Sequence, residues 1–424
     1  MVLSRLLVRS AVIGRNIFGL VALVCLGAVL STTVGPVTAA SGSPANIYAD
    51  KVGMNSHAVW LSEPDAVAAL APVAAGGVSW IREELPWDQL EPSPGQHDWT
   101  KGDNLMAAAS RVGVNVLGIL DHSAPWASSD PSGRGDTKYP PSSNADYAAF
   151  TAAVVARYGT GGTFWASRPD LVPRPLTAIE LWNEPAGWWN WMPEPDPVAY
   201  GRMVRAAAGA ARAVRPDIQI LMQGDLLQVR QDGAIESWLD RVLTADPGLG
   251  GLISALSVHP YPSPRQQSPD ATPQDARWSY SRVPLSRQVE LDHGLTQPLW
   301  ITEIGWTTAT GVPDGVSEAD QSSFLVSAVR TAATTWGSYV GKVFAYTWDR
   351  SSGAAGDIEG NYSLRRVDGS PKPAWPALVA LIAAGPGRTA AASAAGGPAA
   401  PGGTAVAPRA ARGWQFRVCG VQHC

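Results

Sequence analysis

The chain has 424 residues, of which 45% are hydrophobic and 16% are charged, so it is long enough to bury a large core and is not predicted to be disordered. Its formal net charge of -4 gives no electrostatic reason to expect nucleic acid as a partner. The 18 tryptophans offer flat apolar faces with one N–H donor each, which suit neutral amphipathic ligands such as sugar rings.

The first 40 residues predict an export signal. Arginines in the first 15 residues precede an apolar run over 17–30, and small residues follow at 37–41. The run is shorter than the roughly 20 residues that a membrane-spanning helix needs. We therefore expect cleavage near Ser41 and a secreted or cell-envelope protein, with an uncleaved N-terminal anchor as the alternative.

Cysteine and histidine spacing gives no sign of a metal centre. After cleavage, Cys419 and Cys424 alone remain, and both lie at the extreme C-terminus, where they cannot staple the fold. The six histidines are spread out, without the spacings typical of zinc sites. We expect no metal and no other cofactor.

The body of the chain alternates short apolar runs with longer helical patterns, which is typical of repeated βα units. Helices are predicted over 144–158, closed by Gly159, over 197–214, and after Ser317, which opens a capping box. Eight apolar runs predict strands buried on both faces: 52–55, 78–83, 114–120, 178–182, 218–222, 253–258, 299–302 and 343–347.

This pattern predicts an α/β fold, a single (β/α)8 barrel over 45–385. An Ala/Gly/Pro-rich tail over 386–424 has a composition that cannot bury enough surface to fold. The alternative, a doubly wound open sheet, would normally carry a Gly-rich phosphate loop after its first strand, and the sequence has none there.

Two glutamates stand where predicted strands end. Glu184 follows the fourth predicted strand in IELWNEP (179–185), and Glu303 follows the seventh in WITEIGW (300–306). Catalytic residues of (β/α)8 barrels lie at these carboxyl ends. Acetal hydrolysis needs one carboxylic acid to protonate the leaving oxygen and one carboxylate to meet the positive charge at the anomeric carbon. The other interpretation is that both are ordinary solvated loop carboxylates.

These two segments resemble the corresponding segments of retaining glycoside hydrolases of clan A. The stretch WIR (80–82), followed by Trp87 and Glu91, is similar to the second-strand region of families 5 and 39. The resemblance covers 45–385 and implies double displacement through a covalent glycosyl-enzyme at an O-glycosidic bond, which we expect to be a β bond. It assigns Glu184 as general acid/base and Glu303 as nucleophile.

The resemblance also assigns residues around the nucleophile. Arg82 matches the position that holds the nucleophile, and an adjacent cation lowers a carboxylate pKa. Tyr261 matches the residue whose hydroxyl donates to that carboxylate. Glu303 must stay ionised, whereas Glu184 needs a raised pKa to hold a proton in the free enzyme.

Further substrate-binding residues follow from the same resemblance. Asn183 is expected to hydrogen-bond the sugar 2-hydroxyl. His122 and His259 match positions that contact the glycone or tune the acid/base pair, and Trp348 matches the platform under the first glycone sugar. The loop GWWNW (187–191) carries three aromatics and is expected to bind the leaving group, unless it folds back and buries them.

The expected partner is an oligo- or polysaccharide bound by a monomer. Two alternatives stay open: a transglycosylase that uses the same residues, and a carbohydrate-binding barrel that has lost turnover. The residues leave the sugar, its linkage and the choice between exo and endo action undetermined.

Overall fold

A computed structural model describes residues 46–272, 279–349 and 354–385. The predicted export signal, the predicted tail over 386–424 and the two C-terminal cysteines lie outside the described residues. Both assignments therefore stay predictions.

Eight parallel strands close into a barrel, which confirms the predicted (β/α)8 architecture and makes the open-sheet alternative wrong. Around the barrel the order is β1-β2-β3-β4-β5-β8-β9-β10, with β10 pairing back onto β1. A short antiparallel hairpin, β6 with β7, is inserted after β5. The strands are β1 (Val52–Asn55), β2 (Trp80–Glu84), β3 (Asn115–Leu120), β4 (Ala178–Leu181), β5 (Gln219–Gln223), β6 (Leu227–Val229), β7 (Ile235–Ser237), β8 (Ala255–Val258), β9 (Leu299–Ile304) and β10 (Val340–Ala345).

Helices between the strands cover the outside of the barrel. The predicted helix over 144–158 is confirmed, and its C-cap Gly159 is required because a Cβ there would lie 2.5 Å from the Val155 carbonyl oxygen. In the described part of the chain, none of the helices is long and apolar enough to cross a membrane. The helices are α1 (Glu63–Ala75), α2 (Trp87–Leu90), α3 (Thr100–Val112), α4 (Asn144–Tyr158), α5 (Thr163–Ser167), α6 (Pro197–Val214), α7 (Leu239–Ala245), α8 (Val283–Asp292), α9 (Glu318–Ala333) and α10 (Ala374–Ala384).

At two of the three predicted helix starts, those of α6 and α9, a side chain caps the free backbone N–H groups. The Asp196 carboxylate accepts from Val198 N and Ala199 N, both at 2.9 Å, at the start of α6. At the start of α9, Ser317 Oγ accepts from Asp320 N at 3.0 Å, as the capping box predicts.

A dry layer fills the barrel interior near the amino-terminal ends of the strands. On β1 the layer position is Gly53, which pairs in register with Trp80 and with Phe344. A Cβ on Gly53 would lie 2.2 Å from Phe344 Cδ1, so the absent side chain makes room for that ring. The other strands contribute one buried apolar side chain each: Trp80, Leu117, Ala178, Leu221, Ala255, Trp300 and Phe344.

One step further along the strands, the interior becomes polar. Side chains two positions apart on a strand share a face, so the residue two positions after each member of the lower layer also points into the barrel. The step from Ala178 to Glu180, for example, replaces a methyl group with a buried carboxylate. The second layer consists of Asn55, Arg82, Ile119, Glu180, Gln223, Ser257, Thr302 and Tyr346. Polar chemistry is thereby concentrated at the carboxyl-terminal mouth of the barrel.

Candidate active site

A local irregularity in β9 turns Glu303 towards the mouth. Val343 pairs with Ile301, but Ala345 pairs with Ile304, so β9 has one residue more than β10 over this interval. Such bulges re-aim side chains. As a result, Thr302 and Glu303 both contact groups inside the barrel, although neighbouring residues of a regular strand point to opposite faces.

The turn that leaves β4 carries Glu184. Trp182 and Glu184 have φ angles of +71° and +47°, a region that residues other than glycine rarely adopt. The buried Trp182 ring holds this turn by donating from Nε1 to Asn190 O at 2.7 Å. Strained backbone of this kind is common at functional sites, where surrounding contacts maintain it.

The two glutamates share one pocket. One ligating atom each of Glu184, His259 and Glu303 lie within 4.8 Å of one another. His259 Nδ1 is 3.0 Å from Glu184 Oε1 and 3.8 Å from Glu303 Oε2. The structure therefore brings together the two carboxylates that the sequence placed 119 residues apart, on different strands.

Arg82 is the centre of the polar layer. Its guanidinium donates from Nη1 to Glu303 Oε1 at 2.6 Å, from Nε to Glu180 Oε2 at 2.7 Å, and from Nη2 to Asn183 Oδ1 at 2.9 Å. Asn55 Oδ1 accepts a further bond from Nη1 at 3.0 Å. Burial disfavours the charge, but Glu180 and Glu303 outweigh it and raise the pKa of Arg82.

Both oxygens of Glu303 accept hydrogen bonds. Tyr261 donates from its hydroxyl to Glu303 Oε2 at 3.0 Å, while Arg82 occupies Oε1. Burial and the adjacent Glu303 raise the pKa of Tyr261, so its hydroxyl remains a donor. Arg82 and Tyr261 therefore fix the orientation of this carboxylate in the pocket.

His259 connects Glu184 to the polar layer. Nδ1 faces Glu184, and Nε2 lies 3.1 Å from Thr302 Oγ1, which itself donates to Glu180 at 3.2 Å. Thr302 accepts from Nε2 where that nitrogen carries the proton, and Arg82 Nη2 also lies 3.4 Å from Nε2. Burial and Arg82 oppose a positive charge on the ring, but Glu303 and Glu184 raise the pKa of His259 to about 9.

The same ion pair overturns the expected pKa of Glu184. Burial favours the neutral acid, but the hydrogen bond and the charge of His259 lower the pKa of Glu184 to about 2. The expectation that burial near a second carboxylate raises this pKa is wrong for the free protein, because His259 lies closer to Glu184.

The aromatic loop after Glu184 is partly buried and partly open. Trp191 is buried against Trp182, whereas Trp188 and Trp189 are half-exposed. Trp189 donates from Nε1 to Glu184 Oε2 at 3.1 Å. Trp188 N donates to Val229 O of the hairpin at 3.1 Å, which ties the loop to the insertion after β5.

The prediction for Trp348 is wrong. Its side chain is 2% exposed, donates from Nε1 to Ala69 O at 2.7 Å, and packs against Trp375 at 4.7 Å between ring centroids. The ring lies between β10 and the outer helices, so it cannot support a sugar. Tyr346, two residues earlier on the inward face, is half-exposed at the mouth instead.

His122 lies at the mouth, at the end of β3, but makes no hydrogen bond to either glutamate among the described residues. Its ring packs edge-on against Trp182, and Lys138 Nζ lies 3.1 and 3.2 Å from its two ring nitrogens. Burial and Lys138 lower the pKa of His122, so the imidazole is neutral. Its contact with a glycone stays a prediction.

Three residues of the site were not recognised in the sequence. Glu180 and Asn55 both accept hydrogen bonds from Arg82. Both could have been predicted, because each lies two positions after a residue of the lower layer and therefore points into the barrel. Lys138 comes from the long segment after β3, and no periodic pattern places it.

Comparisons with known proteins agree with this fold. No protein-family model and no curated protein sequence matches the chain. Among solved structures, a family 39 glycoside hydrolase from Bacteroides cellulosilyticus WH2 superposes with a TM-score of 0.59 at 21% identity, over 79% of this chain and 63% of that one. The family 39 enzyme from Xanthomonas axonopodis pv. citri gives 0.58 at 19% identity, over 81% and 68%.

A third similar structure is an intracellular xylanase from Thermoanaerobacterium saccharolyticum, with a TM-score of 0.51 at 13% identity, over 78% of this chain and 96% of that one. The chain thus spans under two thirds of the first of these structures and more of the others. At these identities, the likeness establishes a shared (β/α)8 fold.

Proposed function

We propose that the protein is a retaining glycoside hydrolase, with Glu303 as nucleophile and Glu184 as general acid/base. One observation carries the proposal: carboxylate oxygens of the two residues lie within 4.8 Å of each other in one pocket. Retaining enzymes hold their carboxyl groups about 5 to 5.5 Å apart, whereas inverting enzymes need about 6.5 to 9.5 Å to admit a water.

The contacts of each glutamate fit its proposed step. Glu303, oriented by hydrogen bonds from Arg82 and Tyr261, attacks the anomeric carbon and forms the glycosyl-enzyme ester. Glu184 protonates the leaving oxygen and later deprotonates the water that releases the sugar. The proton comes from the Glu184–His259 pair across the 3.0 Å hydrogen bond.

The surrounding side chains support binding of a saccharide. The Asn183 amide is oriented by Arg82, which binds its oxygen and leaves its NH2 group to donate to a sugar hydroxyl. The half-exposed rings of Trp188 and Trp189 offer stacking surfaces beside Glu184. We further propose, from the N-terminal sequence, that the enzyme is secreted or held at the cell envelope and acts there on an oligo- or polysaccharide.

The covalent intermediate provides the test. In Glu184→Gln the second step loses its base, so an activated aryl β-glycoside should load the enzyme with one sugar faster than water removes it. Intact mass spectrometry should show the added glycosyl mass, and peptide mapping should place it on Glu303. The matched control is Glu318→Gln at the surface start of α9, which should show no adduct.

An adduct on another residue, or turnover of Glu303→Gln near the rate of the unmodified protein, would contradict the assignment. A screen of aryl glycosides precedes this experiment, because the proposed mechanism does not depend on which sugar is bound.

A further inference from the structure

A cation lies at the mouth that the proposed chemistry does not use. Arg265 follows β8 and is exposed. Its guanidinium carbon lies 4.6 Å from the ring centre of Tyr261, and Nη1 lies 3.4 Å from the Tyr362 hydroxyl. These contacts hold the guanidinium one side chain away from Glu303, to which Tyr261 donates.

Arg265 makes no ion pair among the described residues, although Glu184 and Glu359 are close enough to help raise its pKa. Among the described residues, no carboxylate oxygen lies within ion-pairing distance of its guanidinium, whereas surface arginines such as Arg205 and Arg366 each pair with an acid. Arg282, which follows in the same segment, is itself a cation and is paired with Asp225. Arg265 is close enough to Glu184 to help lower the pKa of that carboxyl.

Arg265 lies beside the wall that carries Glu184, because it follows β8 and its charge acts on Glu184, while its guanidinium also reaches the Tyr362 hydroxyl beyond β10. The strands β4, β5 and β8 are consecutive neighbours, so the segments that follow them form one wall of the mouth. This wall contains Glu184, which faces the leaving oxygen in the proposed mechanism, together with Trp189 and the β6–β7 hairpin. An aromatic surface and an unpaired guanidinium therefore border the same region.

We propose that Arg265 binds an anionic oxygen group on the leaving-group part of the substrate, so that the enzyme prefers an acidic oligo- or polysaccharide. The inference rests on the proposed function and names its substrate class. A guanidinium preset by an aromatic face offers planar N–H donors that match a carboxylate or a sulfate. A neutral sugar gains little from an unpaired cation at this position.

The test compares leaving groups on a glycone that the enzyme cleaves. Three nitrophenyl glycosides carry a carboxylate, a sulfonate or an uncharged carboxamide at the same ring position. The ratio of kcat/KM between charged and uncharged substrates is measured in the unmodified protein, in Arg265→Gln and in Arg202→Gln, an exposed arginine of α6 away from the mouth. Differences in leaving-group reactivity cancel when these ratios are compared between variants.

We expect the ratio to fall about three- to tenfold in Arg265→Gln and to be unchanged in Arg202→Gln, as befits a partly exposed charge-assisted contact. Raising the salt concentration should lower the ratio in the unmodified protein and in Arg202→Gln, but not in Arg265→Gln. The carboxylate and sulfonate arms report which anion is preferred.

Equal ratios in the unmodified protein and Arg265→Gln would overturn the inference while leaving the glycosidase proposal intact. Failure of the unmodified protein to cleave any aryl glycoside would instead refute the proposed function. Thermal unfolding of Arg265→Gln checks that the variant is folded, and Arg265→Lys, which keeps the charge but loses the planar donors, should retain part of the preference.

Discussion

The two inward layers of the barrel are built in different ways. The lower layer follows a strict period of two, is apolar, and fits because Gly53 leaves room for Phe344. The mouth above it is polar and irregular: β9 carries an extra residue next to Glu303, and the turn at Glu184 has positive φ angles. Regular packing thus determines the fold, while departures from regularity place the reactive groups.

The largest expected effect separates chemistry from folding. Glu303→Gln removes the proposed nucleophile but keeps a side chain of the same shape, whose amide oxygen can still accept from Arg82. We expect kcat/KM on an aryl glycoside to fall by about 10^4-fold or more, with a small change in the free energy of unfolding. Steady-state kinetics and urea unfolding on the same preparation measure the two effects.

Glu184→Gln sharpens the same prediction. Leaving groups of low pKa need little protonation. The loss of activity in Glu184→Gln should therefore become smaller as the pKa of the leaving group falls, whereas the loss in Glu303→Gln should stay the same. Similar leaving-group dependence in both variants would contradict the division of roles.

The next largest expected effect is a loss of stability when the buried ion pairs at the mouth of the barrel are broken. Arg82→Met leaves Glu180 and Glu303 in the barrel without their cation, and breaking a buried pair from one side costs about 3–5 kcal/mol. Urea unfolding measures this loss. Arg366→Met, which breaks a surface pair with Glu318, should cost at most about 1 kcal/mol, so similar losses in both variants would contradict a special role for the buried network.

The sequence predicted the regular region better than the irregular one. All eight strands and the helices over 144–158 and 197–214 followed from apolar runs, caps and periodicity. The convergence of Glu184 and Glu303 was predicted from strand order alone. Glu180 could also have been predicted to point into the barrel, because it lies two residues after the buried Ala178 and so shares its face of the strand.

Long-range packing accounts for the failures. Trp348 was misplaced because the strand-end rule does not say whether a side chain faces the barrel or the helices, and Trp375 and Ala69 O decide this. Lys138 was missed because the long segment after β3 has no repeating pattern. The pKa of Glu184 was predicted in the wrong direction because it depends on the distance to His259, which sequence cannot supply.

In the lower layer, we expect a substitution to change the stability of the protein and to leave its activity nearly unchanged. Gly53→Ala places a methyl group 2.2 Å from Phe344 Cδ1, and overpacking of this kind costs about 1–3 kcal/mol. Gly209→Ala on the exposed face of α6 meets no atom within 4 Å and should instead stabilise the protein by roughly 0.5–1 kcal/mol. Thermal unfolding should shift in opposite directions, with kcat nearly unchanged in both. A large loss of kcat in Gly53→Ala would show that the two layers are coupled.

The smallest effect is a pH dependence from the Glu184–His259 pair. The pKa of His259 is raised from 6.5 to about 9, so its contribution to stability is complete below pH 6.5 and is lost as the pH rises to 9. The pKa of Glu184 is lowered from 4.5 to about 2, so its contribution is complete above pH 4.5 and is lost as the pH falls to 2. The stabilisation relative to His259→Asn should therefore peak between these ranges and decline as the pH rises to 9. Urea unfolding at several pH values measures this difference in the free energy of unfolding. The control is His293→Asn, because its partner Asp240 is at the surface.

The contrary result would be a difference in the free energy of unfolding between the unmodified protein and His259→Asn that is the same at pH 6 and pH 9. In that case His259 is neutral in the folded protein, and the proton for the leaving group must reside on Glu184 itself.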